Sequence, residues 1–166
     1  MIKGERKVLK KVVLTSLTIL FFLGQSGTVY ARSEQSSPQV IEITYDEAQE
    51  LMTIASIEAG NQGVEGMRHV MSVVLNRASD EGDIWPDNIH DVIFQPHQFA
   101  TRNWKKAEIT VEAHLALAEI EKGNVIPDIV AFETKNSDAL DKYFDEAFEY
   151  KNHKFYVKKS TKCTNL

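Results

Sequence analysis

The chain has 166 residues, with 19 Lys and Arg against 24 Asp and Glu and a formal net charge of −5 at pH 7. This length suits one domain with one core, and the acidic balance argues against binding nucleic acid through phosphate contacts. Cys163 is the only cysteine, so no internal disulfide is possible.

Lys3, Arg6, Lys7, Lys10 and Lys11 form a basic start ahead of an apolar run of 13 residues, Val12 to Gly24. That run is short for a bilayer span. Val29-Tyr30-Ala31 has the small-x-small character of a cleavage site, so residues 1–31 read as a signal peptide for export. Its removal would leave 135 residues at a net charge of −9. A secreted chain acting outside the cell or in its envelope is expected, with no stable membrane association after cleavage; an uncleaved anchor is the alternative. Residues 32–42 are polar and read as a flexible leader, 43–160 as the folded domain, and 161–166 as a disordered tail carrying an incidental thiol.

Thr44 with Glu47 three residues on fits a capping box, so a helix is expected from Tyr45. Ala48, Leu51, Met52, Ala55 and Ala59 make its apolar stripe, and Gly60 is its stop. A second helix over Gly63–Ala78 is apolar on most sides, as a central buried helix would be. "SDEGD" is a loop, with Asp80, Glu81 and Asp83 expected to be solvated. "WPDNIHDVIF" reads as a short helix with Asp87 near its start and Pro96 ending it. "TVEAHLALAEIEKG" reads as a helix capped by Thr110 and closed by Gly123, and "VIPDIVAFET" with "HKFYVKK" as a small paired sheet. The expected class is mainly α (α+β), with a small β element near the C-terminus.

Glu58 stands out because it falls on the same helical face as Leu51, Ile54 and Ala55. A carboxylate there must be neutralised, paired or functional. Pairing with Arg68 or Arg77 is the structural solution. The functional one is a general acid, held protonated near neutral pH by desolvation, as protonation of a glycosidic oxygen requires.

"IEAGNQGVEGMRHVMSVVLNR", "WPDNIHDVIFQPHQF" and "NHKFY", in that order, resemble the cell wall hydrolase family of spore cortex-lytic enzymes of the SleB/CwlJ type, over roughly Ala48 to Tyr156. The resemblance implies a lysozyme-like fold related to lytic transglycosylases, peptidoglycan glycan strands as the partner, and no cofactor or metal. It implies that Glu58 is the catalytic glutamate. The cut would fall between N-acetylmuramic acid and N-acetylglucosamine, leaving 1,6-anhydro-muramyl ends. Glu65 matches a glutamate of the first motif and is expected to support the site, or to form a plain structural pair. Gln98 and Phe99 match a Gln-Phe pair suited to a sugar acetamido group and ring, with Gln95 assisting. Asn76 and Arg77 either fix the following loop or touch substrate. His153 and Tyr156 belong to the closing His-x-Phe-Tyr; Tyr156 is expected in the groove near the acid, and His153 as a substrate-side or structural histidine. His97 departs from the family, which commonly has glycine there, so the loop is expected to differ locally.

No separate wall-binding repeat is evident, so a monomer held to the wall by its own groove, or by a partner, is expected. Two other readings stay open. A peptidoglycan amidase, zinc-dependent or not, is one, although His69, His90, His97, His114 and His153 are scattered without a His-Glu-x-x-His signature. The other is a non-catalytic wall-binding domain on the same fold.

Overall fold

The structure is a computed structural model that describes residues 42–82 and 84–160. The expected signal peptide over 1–31, the leader up to residue 41, Asp83 and the tail 161–166 lie outside the described residues. Among the described residues no helix is long and apolar enough to cross a membrane.

Helix α1 runs Tyr45–Ala59, and its start is held as the sequence suggests. Thr44 Oγ1 accepts from the Glu47 N–H at 3.3 Å, while Glu47 Oε2 accepts from the Thr44 N–H at 2.9 Å. Gly60 caps its end with an ordinary helical φ of −56°, and the left-handed turn falls instead at Gly63, with φ 71°. Helix α2, Gly63–Ala78, packs against α1 on one side and reaches the sheet on the other, which accounts for its nearly continuous apolar surface. Helix α3, Ile89–Phe94, is one turn shorter at its start than its sequence suggests. Asn88 rather than Asp87 caps it, its side chain accepting from the Asp91 N–H at 2.8 Å. After a short 3-10 segment, Thr101–Lys106, helix α4 spans Val111–Glu121 behind a Thr110 cap, and Gly123 with φ 87° turns the chain out of it.

The sheet has three strands: β1 Ile129–Thr134, β2 Phe144–Tyr150 and β3 His153–Lys158, antiparallel in the order β1-β3-β2. The sequence reading missed β2. Its acidic, half-exposed residues look like loop, yet Phe148 and Tyr150 lie opposite Phe155 and His153. The pairing slips once in β1, between Ile129 and Ala131, and once in β2, between Glu146 and Phe148. Both slips flank Tyr156, which lies opposite Ala131 and Glu146. A bulge of this kind re-aims the residues that follow it. Phe132, Phe148 and Phe155 therefore pack beneath the sheet with Val73 of α2, while Glu133 meets Lys154 and Tyr156 on its other side.

The main core is a helical cluster of Leu51, Ile54, Ala55, Met67, Val70, Met71, Val92, Ile93 and Ile120, all wholly buried. The smaller aromatic core carries His69, whose ring meets Phe148, Tyr150 and Phe155 edge-on at about 5 Å. The two cores meet at Phe99 and Phe132, which pack against both. The candidate site lies there.

Candidate active site

Glu58 sits in the last turn of α1, beside the wholly buried Ile54, Ala55 and Ala59. No Arg reaches it among the described residues: Arg68 pairs with Glu65, and Arg77 is bonded to Val130 and Gln98. Among the described residues its one hydrogen bond is from the Ala100 N–H to Oε1, at 2.5 Å. Burial pushes the Glu58 carboxyl above the usual glutamate range, and the Ala100 N–H only partly offsets this. Its place at the C-terminal end of a helix, where the dipole disfavours negative charge, acts in the same direction.

Glu58 opens into a cavity of about 570 Å³, lined by His97, Gln98, Phe99, Ala100, Thr101, Arg102, Phe132, Glu133, Thr134 and His153. A second cavity of about 510 Å³ shares His97, Gln98, Phe132 and Glu133 with the first and continues past Gln95, Trp85, Leu140 and Tyr143. Together they form one groove crossing the seam between helices and sheet. A cavity of about 620 Å³ at Asn76, Asp80, Glu81, Asp128 and Lys158 contains neither Glu58 nor the Gln-Phe pair.

The loop after α3 builds one wall. His97 has φ 65°, a left-handed backbone that glycine adopts freely and a residue with a side chain adopts only under strain. Gln98 follows, its Oε1 accepting from Arg77 Nη1 at 3.0 Å. Arg77 is itself buried, donates through Nε to the Val130 carbonyl at 2.5 Å, and lies over the rings of Trp85 and Phe99 at 5.4 and 5.3 Å. Burial lowers its pKa to about 10, which still leaves it charged at neutral pH. Asn76 donates to the carbonyls of Ile126 and Ile129, at 2.9 and 2.8 Å, and so fixes the approach to β1. Of the two roles open for Asn76 and Arg77, bracing is the one the geometry fills.

The sheet builds the opposite wall, with a carboxylate the sequence reading did not single out. Glu133 accepts from Tyr156 Oη at 2.5 Å, Ser137 Oγ at 2.5 Å, and the N–H groups of Ala139 and Leu140 at 3.2 and 3.5 Å. Lys154 Nζ is 3.9 Å away and binds Asp138 at 2.6 Å. Burial alone would raise Glu133, but the bonds from Ser137, Tyr156 and Leu140 and the Lys154 charge outweigh it and hold the group below the usual range. The clue in the sequence was a lone acid within the apolar run "IVAFET".

Not all the motif residues gather at the groove. Gln98, Phe99 and His153 line it beside Glu58, and Gln95 lines its far half. His153 is buried and within hydrogen-bonding distance of Gln62 Nε2, 2.9 Å from Nδ1 and 3.2 Å from Nε2; burial lowers its pKa and keeps it neutral. Tyr156 does not line the groove, contrary to expectation. Its ring is wholly buried, and its hydroxyl lies within hydrogen-bonding distance of Glu133 and of Asp141 at 2.8 Å, sharing one proton between the two carboxylates, one residue removed from the cavity. Glu65 is also away from the groove, bonded to Arg68 and to His69 Nε2 at 3.0 Å. Arg68 holds it below the usual range. Asp80, expected to be solvated, is largely buried and pairs with Lys158. Among the described residues no three His, Cys, Asp or Glu side chains come together as a metal-binding group.

A profile of the family described as Cell Wall Hydrolase matches residues 61–156, starting three residues after Glu58. Two solved structures are similar in fold. The catalytic domain of the Bacillus cereus SleB protein superposes with a TM-score of 0.58 at 16% identity, covering 69% of this chain and 92% of that one. The catalytic domain of the germination-specific lytic transglycosylase SleB from Bacillus anthracis gives 0.57 at 16% identity, covering 69% and 96%. No curated protein matches.

Proposed function

The chain belongs to the cell wall hydrolase family, and from that premise we propose that it cuts peptidoglycan glycan strands as a lytic transglycosylase with Glu58 as its acid and then its base. The observation that carries this reading is a half-buried carboxyl of raised pKa, bonded to a single backbone N–H and opening into the groove.

In the first step protonated Glu58 gives its proton to the glycosidic oxygen between N-acetylmuramic acid and N-acetylglucosamine. The muramyl C1–O bond breaks and the N-acetylglucosamine leaves with a free hydroxyl. The Glu58 carboxylate then takes the proton of the muramyl C6 hydroxyl as that oxygen bonds to C1. The product is a 1,6-anhydro end, the acid is regenerated, and no water is consumed. One carboxyl suffices because the second nucleophile belongs to the same sugar. On this reading the Gln98 amide nitrogen, its oxygen already occupied by Arg77, serves a sugar acetamido group, and Phe99 packs beneath the ring.

A simple hydrolase is the second reading, and Glu133 is what favours it: an ionised carboxylate on the opposite wall of the same cavity. Against it, both Glu133 oxygens already accept from internal donors, which leaves little capacity to activate water. Mass spectrometry of fragments released from purified peptidoglycan decides between them. Anhydro-muramyl ends made by wild type and lost in Glu58→Gln support the transglycosylase. Reducing muramic ends, lost also in Glu133→Gln, would replace it with the two-carboxylate hydrolase.

The proposal includes export, with residues 1–31 as the signal and the active domain released as a monomer to the wall or spore envelope. N-terminal sequencing and size-exclusion chromatography of the secreted protein test those two points.

A further inference from the structure

The chain is acidic, and most of its described cations are already engaged. Arg68, Lys122, Lys135, Lys154 and Lys158 each pair with a carboxylate, Lys151 donates to the Gln62 carbonyl, and Arg77 is buried among carbonyl and ring partners. The 3-10 segment Thr101–Lys106, "TRNWKK", is different. Arg102, Lys105 and Lys106 are all exposed, and none of the three has an ion pair or hydrogen bond among the described residues. The segment is anchored by Trp104, whose ring lies 4.8 Å from that of Phe94 and which packs against the helical core. One apolar side chain pins six residues, and the cations are left facing solvent.

Position gives this cluster its meaning. Thr101 and Arg102 line the same cavity as Glu58, and the N–H of the preceding Ala100 is the one bonded to Glu58. An anion held by Arg102 must therefore be attached close to the sugar at Glu58. On the reading proposed above, that sugar is a muramic residue, whose lactyl carbonyl carries, through an amide bond, a peptide ending in carboxylates. We infer that Arg102, Lys105 and Lys106 form a subsite for the carboxylates of the peptide borne by the bound strand, and that the groove thereby prefers peptide-substituted glycan to bare glycan. An overall acidic domain would be repelled by an anionic wall; a local cation cluster at the lip of the groove reverses that sign where the strand lies.

The test uses binding and not cleavage, in a Glu58→Gln background, with peptidoglycan freed of phosphate polymers and the same material stripped of its peptides by an amidase. Three exposed charge contacts together are expected to give roughly tenfold tighter binding to the peptide-bearing form, shrinking as salt is raised. Adding Lys105→Gln and Lys106→Gln, two residues outside the cavity lining, should cut that preference severalfold while leaving binding to stripped glycan unchanged. Arg102→Lys, with both lysines kept, should retain it. Equal binding to both materials, a preference undiminished by that neutralisation, or loss of affinity for both forms alike would overturn the inference. So would a preference seen only when phosphate polymers are left on the wall. Fragment release by the wild-type chain tests the lytic reading independently, so the failure of either is recognisable.

Discussion

The groove has two walls, and each presents a glutamate in the opposite electrostatic condition. On the helical wall Glu58 has one backbone donor and a buried setting, and it is pushed toward the protonated form. On the sheet wall Glu133 has four donors and a nearby ammonium, and it is held ionised although its side chain is only 10% exposed. Burial acts on both groups in the same direction. The number of donors decides the outcome, because each hydrogen bond to the charged form repays part of the desolvation. On the function proposed above, two carboxyls of one residue type divide the work: one moves a proton, and the other holds the β1–β2 connection in place.

The largest effect expected from breaking this contrast is at Glu58. Glu58→Gln keeps the shape and removes the transferable proton, so lytic activity should fall by about 10²–10⁴-fold with the circular dichroism spectrum unchanged. Fragment release from purified peptidoglycan measures it; a variant as active as wild type would remove Glu58 from the mechanism.

Glu133→Gln should do the reverse at first, costing stability before chemistry. Tyr156, Ser137 and Lys154 would face an amide where a carboxylate stood, and a loss of about 2–3 kcal/mol is expected from the charged hydrogen bonds. Thermal denaturation reads it directly. If Glu133→Gln unfolds at the wild-type temperature yet has lost activity, Glu133 belongs to the chemistry and the division of work proposed above is wrong.

Dependence on pH sharpens the comparison because the two signs are opposite. Glu58 has a raised folded pKa, so its contribution to stability is complete below the ordinary glutamate value of 4.5 and is lost as pH rises through the folded value. Glu133 has a lowered folded pKa, so its contribution is present above 4.5 and is lost as pH falls through the folded value. Melting temperature against pH should therefore show Glu58→Gln gaining on wild type toward pH 8, and Glu133→Gln losing its deficit toward pH 3. Activity should decline on the alkaline side as Glu58 gives up its proton.

The smallest effect concerns the loop that carries Gln98. His97→Gly relieves a left-handed backbone at His97 and should stabilise by about 1 kcal/mol, seen as a small rise in melting temperature with fragment release retained.

Much of this molecule was readable before folding. The capping box at Thr44, the cap at Thr110, the buried helix α2, and the oddity of Glu58 on an apolar stripe follow from local periodicity and side-chain chemistry. These depend on neighbours three or four residues away, which any sequence window contains. Strand β2 was not legible, because its acidic residues face solvent and only Phe148 and Tyr150 reach the aromatic core. Tyr156 was misplaced for a related reason. The bulges in β1 and β2 that flank it depend on pairing between strands, and pairing decides which side of the sheet a residue meets.

By itself, then, the sequence determined a helical domain with a small sheet and a carboxylate that had to be either paired or used. Only the tertiary structure ruled out the expected pairing, by placing Arg68 and Arg77 with other partners and leaving Glu58, among the described residues, one N–H and a groove. It alone brought Glu133 across from Glu58 and set Arg102, on the same short segment as Lys105 and Lys106, in the lining of their shared cavity. The physical reason is distance along the chain. A helix pattern is written in adjacent turns, whereas Ala100 lies 42 residues from Glu58 and Tyr156 lies 23 from Glu133. Only packing of the two cores against each other brings such residues within hydrogen-bonding range.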